Sequence, residues 1–155
     1  MNTLPMWKSP SDATSESVAV QEFAPAGLRI MVVDDNIDSA DVLGVFFLSS
    51  GYDVKVEYSA LSVLRSIEEY RPHIVIIDIG LPDIDGCELV KQLRELNELS
   101  STLFVAFSGY SDPESKAKAT YAGFHQYVTK PSCISVFLDM IAQYQERHAN
   151  RYRQP

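Results

Sequence analysis

Residues 74–86 read Ile74-Val75-Ile76-Ile77-Asp78-Ile79-Gly80-Leu81-Pro82-Asp83-Ile84-Asp85-Gly86. Four branched apolar residues in succession suit a strand buried on both faces, as parallel sheets require. The run closes on Asp78, and the Gly and Pro that follow break it before a helix expected over Gly86–Leu96. Working outward, the same alternation repeats along the chain. Short apolar runs over Leu28–Val33, Val54–Tyr58, Leu103–Phe107 and Gln126–Val128 read as strands. Longer helical segments follow them over Asp38–Ser50, Leu61–Tyr70, Pro113–Tyr121 and Ile134–Gln145. Gly51 and Gly123 suit left-handed helix ends, and Pro113 after Ser111 and Asp112 marks a helix start. Five strands, each followed by a helix, predict an α/β domain on a doubly wound parallel sheet.

The helices differ in their apolar faces. Ile134, Phe137, Leu138 and Ile141 predict one buried stripe on the last helix. Val42, Leu43, Val45, Phe46, Phe47 and Leu48 cover most of the circumference of the first, so part of that surface needs a cover.

The chain has 155 residues, 46% of them apolar, and a formal charge of −8. That length fits one domain burying roughly 70% of the surface its unfolded chain exposes, enough for a core without metal or disulfide staples. The acidic balance argues against a nucleic-acid surface, which needs Lys and Arg to meet phosphates. No run approaches the ~18 apolar residues of a membrane span. Cys87 and Cys133 stand outside any metal-ligand spacing and read as reduced thiols of a cytoplasmic protein. Residues 1–27 mix Pro5, Pro10 and Pro25 with polar residues and read as a flexible tail without a secretory signal. The expected domain spans residues 28–148, followed by a short basic tail over 149–155; a monomer or weak dimer is expected.

In a doubly wound sheet, ligands bind beyond the carboxyl ends of the strands, where the strand order reverses. The expected strand ends there are Val33-Asp34-Asp35, Ile77-Asp78, Phe107-Ser108 and Thr129-Lys130-Pro131. Three adjacent carboxylates repel, and uncompensated at least one would hold a proton at neutral pH. A divalent cation removes the conflict, and all-oxygen ligation with open water positions suits Mg2+. A carboxylate left free beside the metal can attack a phosphoryl donor. Mg2+, Lys130 and the Ser108 hydroxyl could each take one equatorial oxygen.

Asp34-Asp35, Asp78 within Ile77–Gly86, Ser108-Gly109 and Lys130-Pro131, in that order and each at a strand end, resemble the receiver domain of bacterial two-component response regulators. The resemblance covers about Leu28 to His148. It implies a flavodoxin-like strand order, 2-1-3-4-5, with five helices. It implies Asp78 as phosphoacceptor and metal ligand, Asp35 as direct ligand, Asp34 as a mostly water-mediated one, and the Gly80 carbonyl as a further ligand. Lys130 would bond the phosphoryl group, with a cis peptide before Pro131. In the implied switch Ser108 moves onto the phosphoryl group and Tyr127 rotates into the space it leaves. The implied donor is the phosphohistidine of a histidine kinase or a histidine phosphotransfer protein, and the output a separate protein partner. Such a domain catalyses its own phosphorylation and dephosphorylation without turning over an outside product. Ser108 stands for the commoner Thr, Gly109 for Ala, and Gly80 where Met is common.

Two other readings use the same residues. One is the receiver segment of a hybrid histidine kinase, acting as relay or phosphate sink. The other is a non-phosphorylated module docking through the apolar first helix. Separately, Val45, Phe46 and Leu48 of that helix are expected to contact either the cognate kinase or residues 18–25. Asp83-Ile84-Asp85-Gly86 is no EF-hand loop, because Leu81 and Gln92 occupy positions that need Asp and Glu. His73, His125 and His148 lack ligand spacing and an adjacent nucleophile, and read as structural or exposed. Asp38, Asp41, Glu68, Glu69, Glu95 and Glu98 read as solvated surface.

Overall fold

The computed structural model describes residues 27–153, so the expected tail, apart from Gly27, lies outside the described residues, as does any contact of residues 18–25. The strands are β1 Arg29–Val33, β2 Asp53–Glu57, β3 Ile74–Asp78, β4 Leu103–Ser108 and β5 Gln126–Thr129. The helices are α1 Ile37–Ser49, α2 Ala60–Tyr70, α3 Gly86–Leu93, α4 Pro113–Ala122 and α5 Ile134–Arg153, with a 3-10 turn over Asn97–Leu99. The five strands form one parallel sheet in the order β2-β1-β3-β4-β5.

The pleat divides the sheet's apolar residues between two layers. Met31 and Val33 of β1, Val75 and Ile77 of β3, and Phe104 and Ala106 of β4 join Val63, Ile67, Leu89, Val90, Leu93, Ala119 and Ala122 of α2, α3 and α4 in one core cluster. On the opposite face Phe137, from the first turn of α5, meets Phe107 of β4 edge to face at 5.1 Å and Phe47 of α1 at 6.1 Å. Gly44 lets α1 approach β2, since a Cβ there would lie 2.6 Å from Val56 Cγ2.

Helix ends follow local chemistry. Asn36 caps α1 by accepting the Ser39 N–H at 3.0 Å, which starts the helix at Ile37. Asp112 caps α4 ahead of Pro113, and Gly123 ends it at φ 123°. Two expected ends differ. α3 stops at Leu93, where the chain tightens into shorter-range bonds such as Leu96 N–H to Leu93 O, and Leu99 beyond it is buried. α5 passes Gln145 and runs to Arg153, so the first part of the expected basic tail is helical; no Gly or Pro between Gln145 and Arg153 interrupts it.

Apolar exposure also departs from the pattern. Phe137 is buried as expected, while Leu138 is 37% exposed, which narrows the stripe on α5. In α1 Ala40, Leu43, Gly44 and Phe47 face inward, while Val42, Val45 and Leu48 are each at least 62% exposed. A helix can lay only one stripe on a sheet, so Val42, Val45 and Leu48 point outward, while Phe46 is half-buried against Phe47.

At the opposite end of the strands two histidines close the ladder in the same way. His73 precedes β3; its N–H donates to the Arg29 carbonyl at 2.8 Å and its Nδ1 accepts the Arg29 N–H at 2.9 Å. His125 precedes β5 and makes the same pair of bonds with Phe104, at 2.8 and 2.9 Å. These are structural uses of imidazole, as the sequence suggested.

Candidate metal and phosphoryl site

Parallel register brings the strand ends together. Val33 lies opposite Ile77, so Asp34 and Asp78 follow on adjacent strands. Asp78 lies opposite Phe107 and Ser108 opposite Thr129, so Ser108 and Lys130 come next along the same edge. The order β2-β1-β3 reverses direction between β1 and β3, the point where doubly wound sheets open a crevice.

One carboxylate oxygen from each of Asp34, Asp35 and Asp78 falls within 4.8 Å of the others. Asp34 is 4% exposed, Asp78 half-buried and Asp35 exposed. Lys130 Nζ lies 2.8 Å from Asp34 Oδ2 and 3.4 Å from Asp78 Oδ2. The Asn36 N–H donates to Asp34 Oδ1 at 3.0 Å, and the Gly80 N–H to Asp78 Oδ1 at 3.0 Å. The Lys130-Pro131 peptide is cis, and the Lys130 N–H donates to the Ser108 carbonyl at 2.7 Å, tying β5 to β4 beside the cluster.

Burial raises the Asp78 pKa above the ordinary carboxylate value; the Gly80 N–H and Lys130 oppose the shift, and the neighbouring Asp34 charge adds to it. Lys130 is itself desolvated, which alone would lower its pKa, but Asp34 and Asp78 outweigh this and raise it. The ammonium therefore stays charged. One ammonium against three carboxylates leaves the cluster with an excess of negative charge. A hard divalent cation fits such an all-oxygen donor set, with Asp34, Asp35, Asp78 and the Gly80 carbonyl as the groups that could hold it.

Ser108 is 2% exposed, and its Oγ accepts the Tyr110 N–H at 3.1 Å. The half-buried Tyr127 ring packs against the α2–α4 core, and its hydroxyl donates to the Tyr110 carbonyl. Ser108 and Tyr127 thus hold the two sides of Tyr110, a connection the sequence pattern did not reveal.

The sequence model of the response regulator receiver domain matches residues 30–142. The chain belongs to that family. Receiver domains of this family work in two-component signalling, and phosphorylation and Mg2+ binding are typical of them. An uncharacterised 14.6 kDa protein of Leptolyngbya boryana is 31% identical over 119 residues, covering 77% of this chain and 91% of that protein. The polar-differentiation response regulator DivK of Brucella anthropi is 26% identical over 115 residues, covering 74% of this chain and 94% of DivK. Among solved structures, the BeF3-activated receiver domain of DrrB, a Thermotoga maritima protein, matches at TM-score 0.69 and 28% identity, covering 77% of this chain and 98% of that domain.

Sequence reasoning about this receiver domain missed two contributors. Asn36, the α1 cap, also orients Asp34 through its N–H. Asp83 binds across to α2, a contact between residues 22 and 23 positions apart that no local pattern signals.

Proposed function

We propose that this receiver domain accepts a phosphoryl group on Asp78 from a phosphohistidine, in a Mg2+-dependent reaction, and passes the signal to a separate protein. The observation that carries the reading is the Lys130 ammonium lying against both Asp34 and Asp78, 2.8 and 3.4 Å away. It supports a division of labour in which Asp34 and Asp35 hold cation and Asp78 keeps an oxygen for attack. Bound Mg2+ would supply neutralisation of the carboxylate excess and of the phosphoryl charge.

The Gly80 N–H holds Asp78 Oδ1 and leaves Oδ2 as the attacking atom. The O–P bond forms as the donor's P–N bond breaks, and the leaving imidazole nitrogen keeps the electron pair. Lys130 turns from the carboxylates to an equatorial phosphoryl oxygen, a charge-assisted bond. Ser108 only accepts from the Tyr110 N–H, so its hydroxyl proton is free for another phosphoryl oxygen; in the switch its Oγ moves onto that oxygen and leaves the Tyr110 N–H. The Tyr110 segment then loses one of its two holds, and Tyr127, bonded to the Tyr110 carbonyl, moves with it.

The test is incubation with Mg2+ and a small phosphodonor. An acid-stable, base-labile phosphoryl group on the wild type, absent from Asp78→Asn, is the expected result. An unmodified wild-type chain would sink the reading and leave the non-phosphorylated interaction module in its place.

A further inference from the structure

The loop between β3 and α3 is closed at its base by the Gly86 N–H donating to the Ile79 carbonyl at 2.8 Å. Only glycine fits at position 86, because a Cβ would lie 2.7 Å from Ile79 Cα and 2.8 Å from the Asp78 carbonyl oxygen. Farther out, the Asp83 carboxylate reaches another element. Its Oδ1 accepts the Ala60 N–H at 3.2 Å and its Oδ2 the Leu61 N–H at 2.9 Å. These are the first two N–H groups of α2, and Ser59 Oγ accepts the third, that of Ser62, at 3.1 Å. Helix N-termini leave such donors unpaired unless a side chain meets them. Here two of these three N–H groups are met from the loop that carries Gly80.

We infer that Asp83 is a positioning residue for cation binding: its clamp on α2 restricts where the loop can present the Gly80 carbonyl. The inference rests on the metal-dependent reading above. Between Gly80 and Asp83 the chain has few soft torsions, because Pro82 fixes its own φ and Leu81 is 6% exposed. Pinning Asp83 therefore constrains Gly80 through two already restrained residues. Gly80 is tied locally only by its N–H bond to Asp78 Oδ1, and its backbone is otherwise loosely held, since it has no side chain to pack and glycine gives up the most backbone freedom on ordering. A larger residue at that position would stiffen the loop locally. With Gly80 the outer anchor carries the task.

The experiment is calorimetric titration of MgCl2 into four folded variants, with circular dichroism as the check on folding. Asp83→Ala should weaken Mg2+ binding by about 10-fold, the lower end of the effect of losing a group that orients a metal ligand. Ser59→Ala removes the remaining side-chain acceptor of the same helix cap, that of the Ser62 N–H, without altering the loop that carries Gly80, and should leave the affinity within about 2-fold of wild type. Gly80→Ala is sterically admissible, because its Cβ would meet only Asp78 Oδ1 at 3.7 Å. It should restore at least half of the lost binding free energy when combined with Asp83→Ala. Equal weakening by Ser59→Ala, unchanged binding in Asp83→Ala, or no restoration in the double variant overturns the inference and makes Asp83 a helix cap alone. Absence of Mg2+ binding by the wild type overturns instead the reading on which the inference stands.

Discussion

Removing the charge of Asp78 should stabilise the metal-free domain. At an effective dielectric of about 20, unit charges 4.8 Å apart repel by about 3.5 kcal/mol, and Asp34 and Asp35 both carry oxygens within that distance of Asp78. Lys130, 3.4 Å from Asp78 Oδ2, returns about 5 kcal/mol on the same scale. The balance is roughly 2 kcal/mol against the ionised Asp78, reduced by the screening of exposed Asp35, so about 1–2 kcal/mol remains. This sign agrees with the raised pKa of Asp78, in which burial leads and Asp34 adds. Asp78→Asn keeps an oxygen to accept the Gly80 N–H and loses the charge, together with the Oδ2 acceptor that faces Lys130. In thermal denaturation with EDTA at pH 7 the variant should melt roughly 3–8 °C above the wild type. Saturating Mg2+ should narrow or reverse the gap, because binding to the native state stabilises with the logarithm of ligand concentration over Kd and the wild type is expected to bind more tightly. An Asp78→Asn protein that melts at or below the wild type in EDTA refutes the reasoning: the carboxylates would then be adequately compensated without metal.

Three further outcomes follow from the fold. Arg71 ends α2 with φ 51°, in the left-handed region. Arg71→Gly should raise stability in urea by about 0.5–1 kcal/mol, the left-handed cost less the extra chain entropy of glycine; a loss would show that its Nε bond to the Glu68 carbonyl matters more. His73→Ala should cost about 1 kcal/mol by leaving the Arg29 N–H without its imidazole acceptor, and His73→Asn, whose carbonyl stands near the same point, should recover most of it. Cys133 is exposed, whereas Cys87 is 3% exposed and its pKa is raised by burial and by Asp85. At pH 8 a disulfide reagent should titrate one thiol quickly and the second only after unfolding; two fast thiols would contradict the packing of α3.

The strand-and-helix alternation was legible because each strand is a short block of branched apolar residues and each helix carries its own cap, as Asp112-Pro113 and Gly123 do. The strand order needed more than that. Periodicity states which face of a strand is apolar but not which strand lies beside it, and 2-1-3-4-5 came from the resemblance. Site residues were legible for a related reason. Asp34, Asp78, Ser108 and Lys130 each end or directly follow a strand, and parallel strands deliver their ends to one edge.

Chain sequence by itself therefore determined the class of fold and the chemical types gathered at one edge of the sheet. Tertiary structure alone decided how they pair: Lys130 with Asp34 across 96 positions, Asp83 with the start of α2, and Ser108 and Tyr127 on either side of Tyr110. It also decided which side of α1 is buried, leaving Val42, Val45 and Leu48 outside. The physical reason is range. Helix propensity, capping and alternation act over a few residues and are written locally, whereas an ion pair or a carboxylate clamp exists only after the folded backbone has brought distant positions within about 3 Å.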